Sequence, residues 1–333
     1  MSPLFHRRSE DQKAAEKAAS RARAQATERS VERAAASLQR IEDGRVPLAA
    51  AERLGGYAQG AADGAGGPTV FSSDLAVNEW SALARLGVTP VTLVMGSSIF
   101  QVGWQTTYYN VPTEVRVLSD AYNECRRLAL GRLLEEAELC GADAVVGVRI
   151  DQGAHDWAPG ALEFIAVGTA VRLPEPMRDP AAAAVLSDLS GQEFVQLCQA
   201  GLRPVGIAAH TSVHYVPATG QTQMAQSSFG GLLGGAGGGS WANQELTDFS
   251  QGVYEAREKA MAFVNAQAQQ LGGDGVIGVE VREHGRTHAV RRGMYDTKDL
   301  EVTFHVMGTV IREDPALASE PPQPAPLQIL FLS

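Results

Sequence analysis

Cysteine is almost missing from this chain of 333 residues. Cys125, Cys140 and Cys198 form an odd, scattered set with no CxxC pair, which excludes a disulfide framework and fits a reducing compartment. Long apolar runs are missing too. Nothing approaches the ~18 consecutive apolar residues of a membrane span. The first residues, MSPLFHRRSEDQKAAEK, lack the apolar stretch of about 7–15 residues that marks a signal peptide. A cytoplasmic protein with no membrane span is expected. Basic charge is in deficit: 28 Lys/Arg stand against 38 Asp/Glu, a formal net charge of −10. Residues 1–54 hold 11 basic and 8 acidic side chains, so the remainder is strongly acidic. That body argues against a nucleic-acid partner, whose phosphates require a basic face. No GxSxG, no HExxH and no lysine after the glycine run 234–239 occurs, so no nucleophile elbow, zinc helix or phosphate loop is expected.

What the chain does contain is one pattern written twice. GADAVVGVRI (141–150) is matched by GGDGVIGVEV (272–281), FIAVGTAVR (164–172) by FHVMGTVIR (304–312), and SSDLAVNEW (72–80) by LSDLSGQEF (186–194). Three blocks in the same order identify an internal repeat, which must be recognised before any other feature is read. Each copy reads as a short helix, a strand, a long helix and two strands. In the first copy these fall near 77–86, 90–102, 116–140, 143–150 and 162–173. In the second, the strands fall near 204–216, 274–282 and 301–312 and the long helix near 252–271. The expected fold is α+β: two repeated β-α-β-β modules with antiparallel sheets, each preceded by a short helix. Ser190 with Glu193 forms a capping box for the second short helix. An N-terminal helical segment (1–54) is built from strong helix formers. Pro47 stands near the start of its second helix and Gly55 just past the expected end. The Gly-rich stretch 55–68 reads as a linker. The modules span 69–174 and 183–313, the second with a Gly-rich insertion at about 217–250, and a Pro-rich tail follows at 314–333.

The block LLEEAELCGADAVVGVRID followed by FIAVGTAVRL resembles the YbjQ-like family, often labelled heavy-metal-binding and otherwise without an assigned function. The likeness covers 72–173 well and 186–312 more loosely. It implies a small β-α-β-β module and ring-shaped homo-oligomers, usually pentamers. It transfers no fixed set of metal ligands, and a tandem chain departs from the single-module pattern.

Candidate site residues follow from chemistry and from comparing the copies. A metal site would draw on His210 and His214, or on His284 and His288, each pair four residues apart. Such pairs share an ion on a helix, but along a strand they stand about 13 Å apart. His210 and His214 lie in a strand pattern, whereas a turn within the hairpin insertion could join His284 to His288. The first copy has Gly96 and Phe100 where the second has His210 and His214, so these histidines are not part of the common module. Each cysteine is matched by an apolar residue in the other copy and reads as a small core hydrophobe. Polar residues kept by both copies are interface candidates: Glu124 and Glu255, Arg126 and Arg257, Asp143 and Asp274. Each aspartate also suits a hydrogen bond to nearby backbone, and each glutamate and arginine suits pairing across a subunit contact. Trp80, Trp104, Tyr108 and Tyr109 offer an aromatic surface.

The expected function is that of a non-catalytic, ring-forming homo-oligomer without a cofactor, its N-terminal helices reaching a protein partner. Two alternatives stay open: binding of a divalent heavy-metal ion, and binding or catalysis of a small ligand at module interfaces.

Overall fold

Two helices, α1 (Glu10–Glu42) and α2 (Leu48–Ala62), precede two units of a helix layered on a sheet in a computed structural model that describes residues 10–62, 70–103, 109–154, 160–178, 183–226, 243–292 and 295–317. The first unit follows as α3 (Val77–Arg85), β1 (Thr89–Gln101), β2 (Thr113–Glu114), α4 (Arg116–Leu139), β3 (Ala144–Ala154) and β4 (Ala161–Arg172). The second comprises β5 (Val185–Leu186), α5 (Gly191–Gln199), β6 (Leu202–Val216), α6 (Gly220–Gln226), α7 (Thr247–Gln270), β7 (Gly275–Arg292) and β8 (Tyr295–Glu313). The architecture is α+β.

Each sheet has four strands, ordered β1-β4-β3-β5 and β2-β6-β8-β7. The long strands pair antiparallel, but β5 runs parallel to β3, so the expectation of purely antiparallel sheets needs correction. The reason is topological. β5 comes from the second half and crosses to the first sheet, while β2 comes from the first half and pairs with β6 of the second. The sequence reading contained neither short strand, because two-residue strands carry no periodicity of their own.

Periodicity places the long helices. On α4, Ala121, Cys125, Ala129, Leu133 and Ala137 recur every four residues and are buried against β1 and β4. Ala256, Ala260, Val264 and Ala268 do the same on α7. The three cysteines are free and buried, as small hydrophobes, and burial pushes the thiols of Cys140 and Cys198 up to about 11. In the first half α4 lies almost on the strand: a Cβ on Gly96 would stand 1.9 Å from the Ala129 carbonyl oxygen. In the second half the counterpart of Gly96 is His210, whose ring stacks on Phe263 of α7 at 4.1 Å between centroids. The histidine holds helix and sheet apart where the glycine lets them touch.

Three sequence boundaries shift. α2 continues through Gly55 and Gly56 to Ala62, so the first residues of the expected 55–68 linker are helical; 63–69 lie outside the described residues. Tertiary contact overrides the weak propensity of the two glycines, since Leu54 is fully buried and Arg172 donates to the Tyr57 carbonyl. α7 begins five residues before its expected start at 252, where Asp248 receives the Phe249 N–H and the Thr222 hydroxyl. The insertion near 217–250 contains α6, tied by Gln226 to Thr297 and Lys298; residues 227–242 lie outside the described residues. No described helix is long and apolar enough to cross a membrane.

Candidate interface between the two halves

The face that joins the halves starts on the N-terminal part of α4. Ser119, Tyr122, Asn123 and Arg126 recur every three or four residues and so share one side of the helix. Against them runs β6. The Asn123 amide reads one residue of the strand twice: its Oδ1 accepts the Thr211 N–H at 2.8 Å and its Nδ2 donates to the Thr211 carbonyl at 2.9 Å. Ser119 Oγ accepts the Val213 N–H at 3.0 Å, and the Val115 N–H donates to the Val213 carbonyl at 2.8 Å. β2 then pairs Thr113 with Tyr215 and Glu114 with His214. Closer to the helix end, Gln267 of α7 holds both the N–H and the carbonyl of Ala209. The free edge of β6 is thereby sealed residue by residue, which an unpaired strand edge requires.

Arg126 is the charged member of this face. It is 5% exposed, donates to Asn123 Oδ1 at 3.0 Å and to the Thr211 hydroxyl, and lies over the Phe164 ring at 5.6 Å. Burial lowers its pKa to about 10. Thr211 Oγ1 also lies 2.8 Å from His305 Nδ1, and the His305 ring meets Tyr122 edge-on. Burial, and then the charge of Arg126, push His305 down to about 3. The same two causes bring His210 to about 4, and burial lowers His214. The histidines of this region are therefore held neutral.

The second contact between halves lies at the other end. Residues 185–189 run along β3. The Val185 and Ser187 N–H groups donate to the carbonyls of Asp143 and Val145. In return Gly147 and Val148 donate to the carbonyls of Leu189 and Ser187. Those two donors face outward because β3 bulges: its register with β4 skips between Val146 and Arg149, and Gly147 takes φ +65°, a conformation that glycine tolerates. Ser187 and Asp188 are clasped from behind by Thr309 of β8. Burial pushes the Asp188 carboxyl up to about 6. A cavity of about 250 Å³ opens beside this contact, lined by Asp143, Cys198, Arg203 and Arg312 among others. Two of its charged groups are already paired, Asp143 with Arg178 at 2.9 Å and Arg203 with Asp314 at 2.7 Å.

The candidate residues separate clearly on this frame. Arg126 lies in the interface between halves, while Arg257 is exposed beside Glu258 on α7. Glu124 pairs with Arg127 on its own helix at 2.6 Å, and that hydrogen bond lowers its pKa. Glu255 receives Gln251, also on its own helix. Asp143 and Asp274 accept the N–H of Leu173 and of Glu313; each clamps the end of the last strand to the turn after the long helix. His284 and His288 do not meet at a turn. β7 runs unbroken from Gly275 to Arg292, with His284 opposite Thr303 and His288 opposite Asp299, so four residues of extended chain separate the imidazoles. His288 Nε2 lies 3.1 Å from Glu301 Oε2. Tyr109 packs on Tyr215 at 5.3 Å and Trp80 is 44% exposed; Trp104 and Tyr108 lie outside the described residues. Ser119, Asn123, Thr211 and His305 escaped the sequence reading, although Ser119 is matched by Ser250 of the second half.

Among the described residues no three His, Cys, Asp or Glu side chains converge on a point that could hold a metal ion. The Nε2 atoms of His210 and His214 are buried without a hydrogen-bond partner. They are spaced along one strand, one against the Phe263 ring and the other opposite Glu114. These residues do not fit a resident heavy-metal ion.

The family model described as "Putative heavy-metal-binding", of the YbjQ type, matches residues 76–174. An encapsulin nanocompartment protein of Mycobacterium tuberculosis is 34% identical over 245 residues, covering 73% of this chain and 86% of that protein. A UPF0145 protein of Clostridium novyi is 36% identical over 94 residues, covering 26% of this chain and 86% of its own length. One from Methanococcus vannielii is 43% identical over 60 residues, covering 18% and 55%.

Proposed function

Since this chain belongs to the YbjQ-like family, we propose that it is a non-catalytic building block of a protein assembly: a homo-oligomer of ring form, made from two copies of one module per chain. A single observation carries the reading. Each half hands a short strand to the other's sheet, and the exchange seals one edge of each sheet while leaving β1 and β7 as outer strands. Long outer strands are liabilities that proteins cover by pairing. The relative that is named as an encapsulin nanocompartment protein supports a place in a multi-copy structure. The N-terminal helices act as a docking arm for a protein partner. In support, the described side chains of α1 from Lys17 to Glu42 are exposed apart from Ser37 and Arg40.

Light scattering coupled to size exclusion tests the reading on the full chain. The expected species is a multiple of 35.3 kDa that persists at micromolar concentration; a monomer of that mass overturns it.

A further inference from the structure

We propose that a second copy of this chain covers both outer strands at once, in the register that the two halves use within the chain; this rests on the assembly reading above. In one copy, residues 71–75 would add a parallel strand to β7 of the neighbour. In return, residues 244–246 of that neighbour would cap β1 of the first.

The donor and acceptor are already shaped for each other. Ser73 and Asp74 occupy the sequence positions of Ser187 and Asp188, and they are held by Thr169 as those are by Thr309: hydroxyls 3.2 and 3.1 Å apart, and the aspartate N–H on the threonine oxygen. The segment 71–75 is therefore anchored on its own sheet by the same contacts that hold the segment binding β3. On the acceptor side, β7 repeats the bulge of β3: its register with β8 skips between Ile277 and Glu280, and Gly278 takes φ +64°. Among the described residues no strand runs beside β7 on its far side.

Exposure draws the same boundary. Val148, beneath the crossing strand, is 1% exposed, whereas its counterpart Val279 is 40% exposed. Phe71, at the place of Val185, is 49% exposed. On the other outer strand Val213 is fully buried under the first half, whereas its counterpart Ile99 is 56% exposed. Facing the position where Ile99 would be covered, α7 carries Ser250 at the place of Ser119, with Tyr254, 59% exposed, one turn on. These four exposed surfaces are the counterparts of ones that the internal contact buries, and a repeat of that contact between chains would cover all four.

The register can be written out from the internal pairs Ala144–Val185 and Val145–Leu186. Phe71 falls opposite Gly275, and Ser72 opposite Val276. The Gly278 and Val279 N–H groups would donate to the carbonyls of Leu75 and Ser73, and the Leu246 N–H to the carbonyl of Ile99. One contact cannot repeat unchanged. Val77 stands at the place of Gly191, where a Cβ meets Glu79 and Leu83 at 3.0 and 3.1 Å, so the short helices must stand farther apart. The contact uses two different surfaces, so it is head-to-tail, closing as a ring or running on as a filament.

Cysteine trapping tests the register. Ser72→Cys and Val276→Cys chains are co-expressed and oxidised; Val145 and Leu186, the internal counterparts, share one core cluster, so the two new thiols would face the same side. The expected product is a two-chain species with a 72–276 linkage found by peptide mass spectrometry, absent when either variant is made alone. Phe71→Asp is expected to keep its far-ultraviolet circular dichroism and to lose the assembly. An assembly that lacks the 72–276 linkage and survives Phe71→Asp overturns this inference while the assembly reading stands. A monomeric wild-type chain overturns both.

Discussion

His210 and Phe263 occupy the places of Gly96 and Arg132, and this pair of exchanges sets the helix-to-sheet distance in each half. In the first half Arg132 reaches from α4 to the carbonyls of Ser97 on β1 and Ile41 on α1. In the second an aromatic stack fills the wider gap. A neutral imidazole in that position has a cost in acid. The unfolded chain binds protons on His210, His214 and His305 near the ordinary value of about 6.5, while burial in the folded chain lowers all three, His210 to about 4 and His305 to about 3. The unfolded state then binds more protons across this window, so stability falls as pH drops from 7 to 5. Asp188, raised to about 6, and Glu136, raised by burial, pull the other way, but three imidazoles outweigh two carboxyls. His210 is expected to contribute on the order of 1–2 kcal/mol of that loss. Thermal melts at pH 7 and pH 5 should show a smaller drop for His210→Phe than for wild type; equal drops would refute the assignment. Arg126→Ala removes a buried guanidinium with its hydrogen bonds to Asn123 Oδ1 and the Thr211 hydroxyl, and its packing on Phe164. It should reduce stability by about 2–4 kcal/mol in urea unfolding.

Among the elements, closeness of approach decides what a position tolerates. Gly96 permits contact between β1 and the backbone of α4, and a methyl group there would overlap the Ala129 carbonyl. Backbone cannot rotate away as a side chain can, so Gly96→Ala should cost about 3 kcal/mol or displace the helix. Gly131, also on α4, has open space around it, and Gly131→Ala should be neutral or mildly stabilising in the same unfolding assay. One carboxylate gathers the turn between the N-terminal helices: Glu135 receives Arg40, Arg45 and the Val46 N–H. With Glu135→Ala, limited proteolysis should cleave near the turn at 43–47 well before the sheets are attacked. Unchanged protection would place the docking energy in Leu54 and Tyr57 instead.

For the whole molecule, the absence of a converging ligand set among the described residues has a measurable consequence. Chelation with EDTA should leave both the assembly mass and the thermal midpoint unchanged. A midpoint that falls by several degrees and recovers with Zn²⁺, Cu²⁺ or Ni²⁺ would restore metal binding as a working account.

The sequence by itself determined what depends on local chemistry. Apolar spacing of three and four placed the long helices, β-branched runs placed the long strands, and matched blocks made corresponding positions comparable. Cysteines exchanged for alanine and leucine read correctly as core filling, because burial is visible in the swap. Asp143 and Asp274 were legible as backbone ligands for a similar reason, since an aspartate after a helix-ending glycine has its acceptors nearby. Tertiary structure alone decided how the halves meet. Asn123 becomes a clamp only because β6 passes beside it, 88 residues later in sequence. His284 and His288 stay apart only because β7 is longer than its pattern indicated. The exchanged strands β2 and β5 have no signature at all, as two residues of extended chain are defined by the neighbour that accepts their hydrogen bonds and not by anything in their own side chains.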